Sequence, residues 1–294
     1  WNVQDGICIK TLIGHEHEIF SVAFSPIPPT PLHKGGKESP PTLRRSQAPA
    51  WERGGGYGGI LASASGDRTI KIWDIETGTC LKTLTGHTDW VRAVAFSLDG
   101  QILASGSADC TIKLWDVADG KCLKTLAEHT GWVRGLAFSP IPPTPLTKGG
   151  YRGILASCSS DRTIKFWDVS QGKCLKTYTG HSNSIYSIAF DREGEILASG
   201  SGDRTVKIWD CNTDTCIKTL HGHTNEVCSV AFSPDGYTLV CVSLDQTVKL
   251  WDSRTGQCLK TWYGNTDWAL PVAFSSDGQI LASGSNDKTV KLWD

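Results

Sequence analysis

Histidine, serine and aspartate recur along this chain at regular spacing, and together they are the ingredients of nucleophilic catalysis, in which a base frees a hydroxyl for attack. The repetition argues against that use. A hydrolase needs one such set beside one substrate pocket. Here the repeats, with two departures, offer a His ahead of the first strand, a Ser in the second, an Asp in the following turn and a Trp in the third. An indole N–H can only donate a hydrogen bond and a carboxylate can only accept one, while Ser and His do both and can relay between those ends. Neither a G-x-S-x-G elbow nor a G-x-x-x-x-G-K-[ST] phosphate loop occurs. These residues point to hydrogen-bonded structure rather than to turnover.

The cysteines are the other reactive type. Six of the eleven (Cys8, Cys80, Cys122, Cys174, Cys216 and Cys258) fill one slot, as in "GTCLKTL", "GKCLKTL" and "GQCLKTW". The total is odd, and no C-x-x-C pair aims two sulfurs at one metal ion. They read as small, half-buried apolar residues in a strand of a reduced, intracellular protein, with no metal and no cofactor expected. With 29 basic and 30 acidic residues the net charge is near zero, which speaks against a nucleic-acid partner. No apolar run approaches the roughly 20 residues that cross a bilayer, and no signal-peptide pattern opens the chain. A cytoplasmic protein is expected. Met is absent even at position 1, so the sequence reads as a piece of a longer translated chain.

The elements that must position these residues follow from an internal repeat. W-D pairs begin at Trp73, Trp115, Trp167, Trp209, Trp251 and Trp293, with successive gaps of 42, 52, 42, 42 and 42 residues. The unit is 42 residues, interrupted once by 10 and once by 30, and six units fill the chain beside a stray Trp1-Asn2. Each unit reads as four short strands. In the second, "WVRAVAFS" and "ILASGSAD" flank an "LDG" turn, and "CTIKLWD" and "KCLKTLAEH" flank "VADG". A four-stranded sheet cannot bury both faces alone, so neighbouring sheets must stack against it, and radial stacking of such blades is the β-propeller.

The G-H…W-D signature and this period resemble WD40 repeats. The resemblance covers the chain apart from the two insertions, and the His-to-Trp spacing is 28 in uninterrupted repeats (His87 to Trp115, His181 to Trp209, His223 to Trp251). It implies an all-β fold, a single propeller domain over residues 1–294 with six four-stranded blades. It also implies that the four side chains of each blade bond to one another. The first set is His15, Ser63, Asp67 and Trp73; the second His87, Ser105, Asp109 and Trp115. The third is His129, Ser157, Asp161 and Trp167; the fourth His181, Ser199, Asp203 and Trp209. Two sets depart from the pattern. The fifth keeps His223, Asp245 and Trp251 but has Cys241 for Ser, and the sixth keeps Ser283, Asp287 and Trp293 but has Asn265 for His. Both networks are expected to be weaker, by about 1 kcal/mol per lost bond.

In WD40 proteins the recurrent contact positions flank the first apolar residue of each innermost strand, at the top rim. The resemblance places these at Glu18 and Phe20, Trp90 and Arg92, Trp132 and Arg134, Ser184 and Tyr186, Glu226 and Cys228, and Trp268 and Leu270. Trp, Tyr and Arg are enriched at binding hot spots. The expected function is a non-catalytic protein–protein interaction scaffold whose rim takes a protein or peptide, acidic or phosphorylated. The chain also resembles bacterial WD-repeat arrays, often fused to nucleotide-hydrolysing or kinase domains. The alternative is therefore a sensor or autoinhibitory C-terminal module of a larger signalling NTPase or kinase.

Two features complete the reading. The insertions share the text "SPIPPTPLHKGG" and "SPIPPTPLTKGG" and are expected to be disordered loops, at about 27–59 and 141–153, between the first two strands of their blades. The ends are expected to close the ring, with the outer strand "GICIKTL" pairing beside "KTVKLWD" to complete the sixth blade. A further unit outside this chain would instead make seven blades.

Overall fold

Alternation of β-branched and aliphatic residues with lysine makes the third strand of each repeat a core strand. Ile70 and Ile72, Ile112 and Leu114, Ile164 and Phe166, and Val206 and Ile208 are buried, while the lysine between each pair lies half-buried. The second strand, of the form "ILASGS", is buried along nearly its whole length. Its Ala, Ser and Gly residues let sheets approach closely on both sides. The computed structural model describes residues 8–26, 59–140, 153–263, 269–275, 277–285 and 289–293.

Each repeat forms one antiparallel sheet in chain order. The first holds β1–β4 (Ile19–Phe24, Ile60–Ser65, Ile70–Asp74, Cys80–Leu84), and the second β5–β8 (Val91–Phe96, Ile102–Ser107, Ile112–Asp116, Cys122–Leu126). The third holds β9–β12 (Val133–Phe138, Ile154–Ser159, Ile164–Asp168, Lys173–Tyr178), and the fourth β13–β16 (Ile185–Phe190, Ile196–Ser201, Val206–Asp210, Thr215–Leu220). The fifth holds β17–β20 (Val227–Phe232, Thr238–Ser243, Thr247–Asp252, Cys258–Tyr263). The sixth contains β21–β23 (Ala269–Phe274, Leu281–Ser285, Val290–Trp293) among the described residues, which include no helix. This is the six-bladed β-propeller class.

The chain divides into two compact units, residues 1–105 with 113–125, and residues 106–112 with 126–294. In the first, Ile60, Ile70, Ile72 and Leu84 of one sheet pack with Val91, Val94, Phe96 and Leu103 of the next. In the second, three such layers follow in turn, centred on Phe166 with Ile188, Ile208 with Val230, and Val248 with Val272. Each fully buried aliphatic side chain is worth roughly 1.5–3 kcal/mol. A serine in the first strand of one sheet also reaches the next sheet. Ser21 Oγ accepts from Val94 N at 3.3 Å, Ser187 Oγ from Val230 N at 3.2 Å and Ser229 Oγ from Val272 N at 3.3 Å.

The expected closing pair is not among the described sheets. Cys8–Leu12 forms no strand, Ile7 lies outside the described residues, and β23 has only β22 as a described neighbour. The segment nevertheless has the local habit of a fourth strand. Cys8 Sγ donates to Lys10 O at 3.5 Å as Cys80 Sγ does to Lys82 O at 3.4 Å, and Lys10 Nζ donates to Glu76 O at 2.5 Å. A second difference concerns the repeated cysteines. Cys8, Cys80, Cys122, Cys216 and Cys258 are exposed rather than half-buried, and all eleven thiols are free. The fourth strand is the edge of its sheet, and a bulge at Leu81, Leu175, Ile217 and Leu259 turns that residue outward beside its cysteine.

Both insertions fall largely outside the described residues, at 27–58 and 141–152. Their flanks rejoin as in an uninterrupted blade. Ser25 N donates to Ile60 O and Ser139 N to Ile154 O, both at 2.9 Å, matching Ser233 N to Thr238 O at 2.9 Å. Replacing residues 26–59, and separately residues 140–153, by the Pro-Asp-Gly-Tyr turn of the fifth blade is therefore expected to shift the melting temperature by no more than about 3 °C. Thermal denaturation followed by circular dichroism checks this; a large drop would mean that the insertions pack against the blades.

Candidate partner-binding site

The loops that lead into the first strands are fixed from below by a buried relay. In the first blade His15 Nδ1 lies 2.7 Å from Asp67 Oδ2, His15 Nε2 lies 2.7 Å from Ser63 Oγ, and Trp73 Nε1 donates to Ser63 Oγ at 2.8 Å. The third and fourth blades repeat it through His129, Ser157, Asp161 and Trp167, and through His181, Ser199, Asp203 and Trp209, with every bond at 2.7–2.8 Å. In the second blade His87 and Trp115 each lie 2.8 Å from Ser105 Oγ. A carboxylate only accepts, so Nδ1–H points at the aspartate, Nε2 takes the serine proton, and the indole N–H closes the chain on the serine oxygen. In each of these blades the earlier of the two strand serines is the one joined.

Sequence reasoning missed a fifth member. Thr69, Thr163, Thr205 and Thr247 each donate to the second aspartate oxygen at 2.6–2.7 Å. The signal was legible as a Thr two residues after each Asp. Burial works against ionising Asp67, Asp161, Asp203 and Asp245, but the bonds from His, Thr and backbone N–H outweigh it and hold all four far below the ordinary carboxylate range.

The fifth blade substitutes sulfur for oxygen. His223 Nε2 and Trp251 Nε1 both lie 3.0 Å from Cys241 Sγ, with Asp245 Oδ2 at 2.8 Å from His223 Nδ1. Burial pushes the Cys241 thiol up to about 12, so the buried sulfur stays protonated at neutral pH and serves the relay as a hydrogen-bonding group. In the sixth blade Trp293 Nε1 donates to Ser283 Oγ at 2.9 Å, and Asn265 and Asp287 lie outside the described residues.

On this base, β-bulges aim the rim residues. Ile19 pairs with Ser65 and Ser21 with Ala64, so Phe20 has no partner across the ladder. Arg134, Tyr186 and Cys228 are the extra residues of the same bulge in their blades. A bulge swings a side chain out of the sheet's alternation and toward the strand end. Gly131 belongs to this geometry: a Cβ there would sit 2.7 Å from Asp161 N, so the loop before Trp132 can lie against the Ser160–Asp161 backbone only without a side chain.

Two aromatic–guanidinium clusters result, one in each unit. In the first unit Arg92 lies over Phe20 at 4.3 Å and Trp90 at 5.3 Å from ring centroids, and the two rings are 5.7 Å apart. Glu18 is exposed on the same loop. In the second, Arg134 lies over Trp132 at 5.1 Å and Tyr186 at 4.7 Å, its Nε donates to Ser160 Oγ at 2.6 Å, and Tyr186 donates to Glu226 Oε2 at 2.7 Å. Burial and the Glu226 bond push the Tyr186 phenol up to about 12. Trp90 and Trp132 remain 43% and 38% exposed. Trp268 lies outside the described residues. Ser160 was not foreseen, although it stands where other blades carry Gly66, Ala108 and Gly202.

WD40 repeats and a β-propeller domain are found in this chain. The family model described as WD domain, G-beta repeat matches residues 50–74, 78–116 and 120–168, and that of the IFT122 first beta-propeller matches residues 151–294. The chain is similar to the Nuclear distribution protein PAC1 of Fusarium vanettenii, 38% identical over 202 residues covering 64% of this chain and 40% of that protein. It is likewise 36% identical to PAC1 of Arthroderma benhamiae over 200 residues and to PAC1 of Gibberella zeae over 202, each covering 64% of this chain and 38% of the relative. The chain thus spans about two fifths of the length of these relatives. They are fungal, which corrects the expected likeness to bacterial arrays.

Two outcomes follow from the relay. Cys241→Ser is expected to raise unfolding free energy by about 1 kcal/mol, because a hydroxyl is the stronger relay; an unchanged or lower urea midpoint would show that the sulfur site is already optimal. The tetrad aspartates have depressed folded pKa values, so their stabilisation is present above the unfolded value of about 3.9 and is lost as pH falls below it. Asp203→Asn should therefore flatten the fall in stability below about pH 4, read from urea midpoints across pH 2–6.

Proposed function

We propose that this chain is a non-catalytic interaction scaffold that holds a protein or peptide partner on the rim residues Glu18, Phe20, Trp90, Arg92, Trp132, Arg134, Tyr186, Glu226 and Trp268. The observation that carries the reading is the pair of arginines, each stacked on two aromatic rings beside a tryptophan that keeps more than a third of its surface exposed. Stacking restricts a guanidinium to one plane, so little conformational entropy is left to lose when that plane meets a carboxylate or phosphate. The exposed indoles add apolar area that a partner can cover.

An acidic or phosphorylated segment is the partner class this chemistry favours. The near-zero net charge argues against nucleic acid. No helix among the described residues is long and apolar enough to cross a membrane. The free thiols fit a reducing compartment, and we assign the scaffold to the cytoplasm.

An array of acidic and phosphoserine peptides, with hits measured by fluorescence polarisation, tests this. Trp90→Ala with Arg92→Ala, and Trp132→Ala with Arg134→Ala, are each expected to weaken the best hit by about thirtyfold or more, the loss of a hot spot, with the β-sheet circular dichroism retained. Binding that survives both double variants would move the site off this rim.

A further inference from the structure

A cavity of about 340 Å³ opens between the fifth and sixth sheets, on the side of the strand-one to strand-two turns. Its walls carry Trp262, Phe274 and Trp293, and Asp235 and Asp277 stand among its lining residues. The volume falls in the range of small-ligand sites.

The repeat does not require this opening. The position of Trp262 is Leu84, Leu126 and Leu220 in three other blades, and each of those leucines is buried. In the third blade it is Tyr178, and there the same slot is filled. Tyr178 stacks on Trp209 with centroids 5.2 Å apart, and its hydroxyl donates to Asp214 at 2.8 Å. Trp262 does not lie flat in this way. It meets Trp293 at 6.0 Å with 47° between the planes, so the two indoles form a wedge that leaves ring face uncovered.

The charges around the wedge select what it would take. The ammonium of Lys260 already lies 4.8 Å from the Trp262 centroid, so one face of this indole accepts a cation. Asp235 and Asp277 line the same cavity as Lys260. Each is held by its own turn: Asp235 Oδ1 accepts from Ser233 Oγ at 2.5 Å and Tyr237 N at 2.9 Å, and Asp277 Oδ1 from Ser275 Oγ at 2.5 Å and Gln279 N at 3.1 Å. Those bonds fix the carboxylates in place and, with Ser233 and Ser275 contributing most, lower both pKa values, so both are ionised at neutral pH. The site has aromatic walls, anionic edges and one negative charge in excess.

We propose that this cavity binds an alkylammonium group, seated against the Trp262–Trp293 wedge and balanced by Asp235 and Asp277. A free organic cation and the side chain of a lysine, plain or methylated, share this chemistry. The site is separate from the rim and stands whether or not the rim binds a partner.

The test is an NMR titration of the intact chain, following the indole N–H signals of Trp262 and Trp293. Nε-trimethyl-lysine amide, lysine amide and tetramethylammonium are the cationic probes; a neutral neohexyl isostere of the first and a neutral monosaccharide are the controls. Saturable shifts with the cationic probes are expected, with the isostere about tenfold weaker. A preference for the lysine amides over tetramethylammonium assigns the site to a side chain, and the reverse assigns it to a free cation. Trp262→Leu should abolish the Trp293 shift, and the leucines at this position in three blades support its folding. Asp235→Asn with Asp277→Asn should weaken binding and remove its salt dependence without touching the rings. Equal binding of the isostere, binding of the sugar instead, or no shift at all would each overturn the proposal.

Discussion

The bond from a buried indole N–H to a serine oxygen is the constraint on which each blade depends. Trp73, Trp115, Trp167 and Trp209 are almost wholly buried, and an indole left without an acceptor there would cost the full desolvation of its N–H, about 1–3 kcal/mol. Supplying Ser63, Ser105, Ser157 or Ser199 solves that problem and creates another, because the buried hydroxyl then needs an acceptor of its own. Histidine provides it and passes the requirement to aspartate, which ends the chain in a carboxylate near the surface. Every partner is dictated by the one before it. The result ties the third strand, the second strand, the turn between them and the loop before the first strand into one unit.

That rigidity is what gives the bulges a function. Phe20, Arg134 and Tyr186 are surplus residues in otherwise regular ladders, and a surplus residue on a mobile loop would sample many directions. Here the loop on its N-terminal side is anchored by the histidine of the relay and the strand on its C-terminal side by the ladder. The side chain is therefore held in one direction, and the stacking of Arg92 and Arg134 on their rings follows. The fourth strands use the same device for a different end. Leu81, Leu175, Ile217 and Leu259 are bulged on an edge that would otherwise present a regular template to another chain, and the distortion, with a lysine one residue on, blunts it.

What was legible in the sequence was whatever the repeat makes periodic. The W-D spacing yielded the number of blades, and in the first, third and fourth blades the His, Ser, Asp and Trp that the resemblance supplied are joined by hydrogen bonds. What was not legible depends on register. Nothing in the residue types "IFSV" or "IYSI" says that the second position has no partner across the ladder, because a bulge is a property of two strands and not of one. The exposed cysteines were misjudged for the same reason, since alternation was carried through a strand in which the count slips by one. Ser160 and Trp262 belong to a third kind, visible only as departures from the other copies.

Departures between copies are the more informative quantity in such a chain. A repeat is free to vary wherever the relay and the core do not constrain it, so a residue shared by all blades reports on folding, and one that differs reports on what a single blade does. Cys241 is a departure inside the relay, and it is absorbed there: the sulfur keeps both neighbours at 3.0 Å and the blade keeps its four strands. Asp214 is a departure at a turn, where a residue at φ 58° replaces the glycine of other blades and its carboxylate joins Lys176 and Tyr178. The strain of that backbone is offset by a buried tyrosine hydroxyl and a lysine, so the change closes the slot beside Trp209. Trp262 alters the equivalent slot beside Trp293 differently: it meets that indole at a tilt, with the Lys260 ammonium over its ring, and the slot stays open beside Asp235 and Asp277.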